Sequence, residues 1–185
     1  YFCWRYDTNG EDGHCRDFVA HTPEGFKALL STLHYLGTQR EKAKFTVPAN
    51  SPLWSNVYHW DVETKVRPVF MGRVVDVAGA MGQIATPEGM PNGAVTIAVT
   101  DGQATWNTGT WRIAVENSAV SCTPVVGDSS ADVTMDIQAF SQAFWGSPSL
   151  DDLASAGRLT VHNASGLTTL RELLPAHPVF VLDDF

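Results

Sequence analysis

Apolar and polar residues change rhythm several times along the chain, and each rhythm predicts an element. "YFCWRYD" (1–7) and "HCRDFVAH" (14–21) alternate with a period of two, as strands do, with the turn residues of "TNGEDG" (8–13) between them. In "HTPEGFKALLSTLHYLG" (21–37) the period lengthens: Phe26, Leu29, Leu30 and Leu33 recur at helical spacing. Thr22 supplies an N-cap, Pro23 a first helical residue, and Gly37 a stop. "KAKFTVPA" (42–49) predicts a short strand ended by Pro48, and "SPLWSNVYHW" (51–60) a short helix capped by Ser51.

A second set of elements starts near Val66. The run "VRPVFMGRVVDV" (66–77) predicts a strand, and "VAGAMGQI" (77–84) a helical turn. "GAVTIAVTDG" (93–102) and "TGTWRIAVEN" (108–117) predict strands paired across the loop at 101–109, and "AVSCTPVV" (119–126) and "ADVTMDI" (131–137) extend the sheet. Three helices follow, in "QAFSQAFWG" (138–146), "SLDDLASAGR" (149–158, N-cap Ser149) and "SGLTTLRELLP" (165–175). Strands first and helices later predict an α+β layer, an antiparallel-rich sheet with helices on one face. The expected domains are 1–65 and 66–185.

Composition narrows the function. The net charge of −8 argues against a nucleic-acid partner, whose phosphates are bound through Lys and Arg. The imbalance falls in residues 66–185, with 5 Lys+Arg against 12 Asp+Glu and no lysine at all. Such a surface suits a cationic partner, although solubility alone accounts for it. No apolar run is long enough to span a bilayer, so no membrane partner is expected. Cys3, Cys15 and Cys122 are odd in number and lack CxxC spacing. Neither a disulfide framework nor a zinc site is indicated, and a reduced, cytoplasmic compartment is the default. The opening "YFCWRY" reads as mid-strand, which predicts that the natural protein begins further upstream.

Local catalytic signatures are absent: no P-loop, dinucleotide fingerprint, HExxH or GxSxG occurs. Gly72, Gly79 and Gly82 have the wrong spacing for phosphate binding and are read as packing and turn glycines. In "VTDGQATWNTGTWRIAV" (99–115), Asp101-Gly102 supports a tight turn and Asn107 a second one, its amide bonding its own backbone. Trp106 and Trp111 flank that turn and are expected to pack inward.

Three blocks, taken together, carry a resemblance. They are "MGRVVDVAGAM" (71–81), "IAVTDGQATWNTGTWRI" (97–113) and "ADVTMDIQAFSQAFWGSPSLDDLASAGRLTV" (131–161). In order and spacing they resemble the C-terminal region of the Eis-like (enhanced intracellular survival) N-acetyltransferases of the GNAT superfamily, which has a sterol-carrier-protein-like fold. Residues 1–65 resemble, more loosely, the end of that family's central GNAT-like α/β domain. The resemblance implies a parent enzyme that transfers acetyl from acetyl-CoA to amines of aminoglycoside or lysine type and assembles into homo-oligomers. It also implies that acetyl-CoA is bound by an N-terminal domain, through a loop this chain does not contain, so the fragment alone is expected to be inactive. The resemblance gives the ending "HPVFVLDDF" (177–185) a role, with the Phe185 C-terminal carboxylate as the base and Asp184 helping to bind the substrate amine. A fixed carboxylate can take the proton that keeps an ammonium from being nucleophilic.

A second function class stays open: a lipid- or hydrophobic-ligand-binding module, or an oligomerisation platform, without catalysis. Phe140, Phe144, Trp145, Leu153 and Leu170 are the residues that would line such a pocket, and they serve equally well as ordinary core.

Overall fold

The computed structural model describes residues 1–7, 12–37, 42–57, 61–67, 71–127 and 130–181. They fall into two compact units, one of residues 1–67 with the chain end from Phe180, the other of residues 68–179. Both are mixed α and β, and the fold class is α+β.

In the first unit β1 (Phe2–Tyr6) pairs antiparallel with β2 (Asp12–Phe18), and β2 pairs parallel with β3 (Lys42–Phe45). The parallel step needs a crossover, which α1 (Pro23–Gly37) provides. Thr22 caps that helix as expected, its hydroxyl accepting from the Gly25 N–H at 3.0 Å. Phe26 packs edge-on against Phe18, 5.2 Å between ring centres. Cys15, Leu33 and Leu53 are buried. Pro52–Ser55 form a 3₁₀ turn whose cap is Ser51.

The second unit is built on a five-stranded sheet in the order β6-β5-β4-β7-β8. Its strands are β4 (Gly93–Thr100), β5 (Gly109–Glu116), β6 (Ala119–Pro124), β7 (Val133–Asp136) and β8 (Leu159–Val161). All neighbours run antiparallel except β4 and β7. The β5–β6 hairpin turns on Asn117 and Ser118, both at positive φ (52° and 62°), which is the type I′ combination that follows strand twist. Val95, Ile97, Val99, Ile113, Val115, Val133 and Met135 form the apolar sheet face. Covering it are α2 (Val77–Met81), α3 (Ile137–Trp145), α4 (Leu150–Ser155) and α5 (Ala164–Leu173).

Residues 71–76 depart from the expected strand, having no regular structure and no ladder partner. β8 is an addition that the residue pattern did not predict. Its place depends on Asp132, whose backbone carbonyl accepts from His162 N–H (2.8 Å) and Asn163 N–H (3.1 Å). The Asp132 carboxylate accepts from Thr96 N–H and from the Asn163 side chain, both at 2.7 Å, so one residue ties β4 and β8 to the start of α5. No helix among the described residues is long and apolar enough to cross a membrane.

Candidate functional site

The two residues expected to carry chemistry, Asp184 and Phe185, lie outside the described residues. The structure does describe the approach to them. α5 ends with Leu173 and Leu174 buried in the core, and the chain then runs without regular structure from Pro175 to Val181. It is tied down at His177, whose N–H donates to the Gly146 carbonyl at 3.0 Å. Gly146 closes α3 in the left-handed region, φ 83°. The His177 ring lies over it so closely that a Cβ there would meet Nδ1 at 2.3 Å.

A dense polar cluster in the second unit lies elsewhere, at the end of β4. Asp101 is 5% exposed, and its carboxylate accepts from four groups. These are the Asn107 amide (3.0 Å), the Ala104 and Gln103 N–H groups (3.0 Å each) and the Arg73 guanidinium (2.7 Å to each oxygen). The Asn107 side-chain bond, foremost, with the Ala104 N–H, holds this carboxyl well below the usual carboxylate range. Thr108 closes the loop on the Asp101 backbone, its hydroxyl accepting from Asp101 N–H and donating to Asp101 C=O.

This cluster fastens residues 73–77 to the sheet. Asn107 is 1% exposed; its Oδ1 accepts from Val77 N–H at 3.0 Å and its Nδ2 donates to Val75 C=O at 3.2 Å. Trp106 Nε1 donates to the same carbonyl at 2.8 Å, and Val74 N–H donates to Ser141 Oγ at 3.0 Å. Asp76 then caps α2 through Gly79 N–H. A carboxylate this fully engaged and this acidic is a poor proton acceptor, so the arrangement is a structural clamp.

Two expectations for this loop change. The Asn107 amide spans to Asp101 and residues 75–77 and so holds a distant segment instead of a local turn. Trp106 is 67% exposed, whereas Trp111 packs against the core. The Asp101 turn is as expected, its carboxylate accepting from the two N–H groups that follow. Gly72 and Gly79 are close-approach glycines: a Cβ would meet the Trp145 ring at 2.3 Å and the Asp76 carboxylate at 2.7 Å.

Of the residues proposed to line an apolar pocket, Phe140, Leu153 and Leu170 are buried in the continuous core of the second unit, Phe144 packs against it, and Trp145 is 42% exposed. Cys15 and Cys122 are pushed up to about 11, by burial above all, so neither is a nucleophile at neutral pH. His14, next to Cys15, faces Thr46 Oγ1 at 3.0 Å; burial, then the nearby Arg16, Lys44 and Arg5, lower its pKa. Among the described residues no group of three or more His, Cys, Asp or Glu side chains is placed to hold a metal ion.

Thr22, Asp76, Asp136, Ser149 and Asn163 each accept from one first-turn N–H of α1 to α5, and two of the five are carboxylates.

Comparison with solved structures finds proteins similar in fold over the whole chain. It is similar to a GCN5-related N-acetyltransferase from Kribbella flavida (TM-score 0.74, 17% identity) and to another from Anabaena variabilis (0.79, 17%). It is also similar to Eis1 from Mycobacterium abscessus (0.73, 21%). Each covers 100% of this chain, and the chain spans 46%, 46% and 48% of them, less than half their length. At such identity the likeness is one of fold. No curated protein matches the chain. The family model for the sterol carrier protein domain matches residues 77–182, more than half of the chain and nearly all of the second unit's elements, so the chain belongs to the sterol carrier protein domain family.

Proposed function

We propose that this chain is the C-terminal part of an acetyl-CoA-dependent N-acetyltransferase acting on amines of aminoglycoside or lysine type. The observation that carries the reading is the extent of the structural likeness. Both units, including residues 1–67 that the sterol carrier model does not reach, are covered by single proteins named as GCN5-related N-acetyltransferases. A free-standing lipid carrier gives no reason for that. On this reading acetyl-CoA is bound by the part of the protein outside this chain. The sterol-carrier unit shapes and supports the substrate site.

The chain's own chemical contribution is proton handling. A protonated amine has no lone pair to offer, and the Phe185 C-terminal carboxylate takes that proton or orients the water that does. Asp184 adds negative charge beside it and draws a cationic substrate in. The test uses the natural protein that carries these residues, following release of the CoA thiol in the presence of an amine. Two residues added after Phe185 move the carboxylate, and turnover is expected to fall about 10²-fold or more with the melting temperature unchanged. Asp184→Asn is expected to raise KM for polycationic amines several-fold. Unchanged turnover in the extended variant would remove the carboxylate from the mechanism.

The family assignment also keeps a hydrophobic ligand in view as the second reading. Three of the five residues suited to lining a pocket are core, which weighs against it. Saturable, displaceable binding of a fluorescent fatty-acyl probe to this chain would reverse the order of the two.

A further inference from the structure

Resting on the proposal above, we infer that His177 and Gly146 form a positioning clamp that sets where, and in which direction, the C-terminal tail leaves the sterol-carrier unit. The last firmly buried residue before the tail is Leu174, and the chain is caught again only three residues later. At that point His177 N–H donates to the Gly146 carbonyl at 3.0 Å. The His177 ring folds back so that Nδ1 lies 3.0 Å from the Pro175 carbonyl. A carbonyl only accepts, so Nδ1 carries the proton, and the ring is fixed in one orientation over Gly146. Gly146 is buried and left-handed, and a Cβ would strike the ring at 2.3 Å. The close approach therefore needs glycine at that position. Pro175 and Pro178 on either side restrict the backbone further.

Magnitudes indicate what the clamp does. From His177 to Phe185 is eight residues, a reach of at most roughly 28 Å. What the clamp sets is direction, since a base displaced by about 1 Å can cost on the order of 10²-fold. His177 is thus a positioning residue that acts through the tail.

The experiment uses the natural protein carrying residues 1–185, with CoA release as the readout and a thermal melt for each variant. His177→Ala is expected to lower kcat about tenfold while KM for acetyl-CoA stays within twofold. His177→Asn, whose amide N–H reaches the Pro175 carbonyl as Nδ1–H does, is expected to recover most of the loss. Gly146→Ala displaces the ring from the other side, and the double variant is expected to be no worse than the poorer single one. A kcat for His177→Ala within twofold of the parent would overturn the clamp. So would a loss that tracks the melting temperature and is not rescued by Asn. The two-residue extension after Phe185 runs alongside. If it leaves turnover intact, the carboxylate reading fails and takes the clamp with it. If it abolishes turnover while His177→Ala does nothing, the clamp alone fails.

Discussion

Asn107 does more for this fold than its place in a turn-rich loop implies. Its side chain is almost wholly buried and holds three groups together: Val77 N–H, Val75 C=O and the Asp101 carboxylate. Asn107→Ala leaves the Val75 carbonyl with its Trp106 donor but strands a buried N–H and strips one donor from Asp101. An unsatisfied buried group costs about 1–3 kcal/mol, so a loss of about 3 kcal/mol in urea unfolding is expected; a loss below about 0.5 kcal/mol would mean the cluster does not fasten residues 73–77. Asp101 adds a pH dependence. Its folded pKa is depressed, so its contribution to stability is complete above the ordinary carboxylate value of about 4 and is lost as pH falls through the folded value. Urea midpoints at about pH 6, 4 and 2.5 are expected to hold between the first two and drop at the third. In Asp101→Asn the midpoint starts lower and the acid drop shrinks. An equally steep acid drop in that variant would place the titrating group elsewhere.

At the scale of elements, most of the second unit was legible because period and caps agree. The strands at 93–100 and 109–116 alternate cleanly, and the helix at 150–155 announces itself by Ser149 followed three residues on by Asp152. That pair forms a capping box: Asp152 N–H donates to Ser149 Oγ and Ser149 N–H to the Asp152 carboxylate, both at 3.1 Å. The Ser149 bonds hold Asp152 below its ordinary pKa. Ser149→Ala removes the cap and is expected to cost about 1 kcal/mol, read as a shifted denaturation midpoint, with Ser149→Thr nearly silent. An Ala variant as stable as the parent would show that packing of Leu150 and Leu153 alone holds this helix. Residues 66–77 misled for a physical reason. Val74 and Val77 are buried, but the backbone bonds a strand would make are made by the side chains of Ser141, Trp106 and Asn107. Periodicity reports burial and says nothing of who supplies the hydrogen bonds. The parallel placement of β7 beside β4, and the three-residue β8, depend on Asp132, a long-range tie that no local pattern encodes. The role proposed for Asp184 and Phe185 rests on resemblance, since no local pattern in the residues marks it.

For the whole molecule, the two units raise different questions. The main core runs from Val74 to Leu174 and explains why a sterol carrier model alone describes that stretch. It gives no account of residues 1–67, whose three-stranded sheet and crossover helix are a separate unit with their own small core. The acetyltransferase structures cover both units at once and extend as far again beyond them. If the chain works as proposed, its natural protein has comparable length: 20.1 kDa divided by a coverage of 46% gives about 44 kDa. The intact mass of the protein in its source cells is therefore the measurement to make first. A mass near 44 kDa leaves room for an acetyl-CoA-binding domain upstream and makes the Phe185 extension and the His177 variants worth building. A mass near 20 kDa would leave no room for such a domain. The acidic ending would then lose its catalytic meaning, and a hydrophobic ligand of the sterol-carrier unit would become the leading reading.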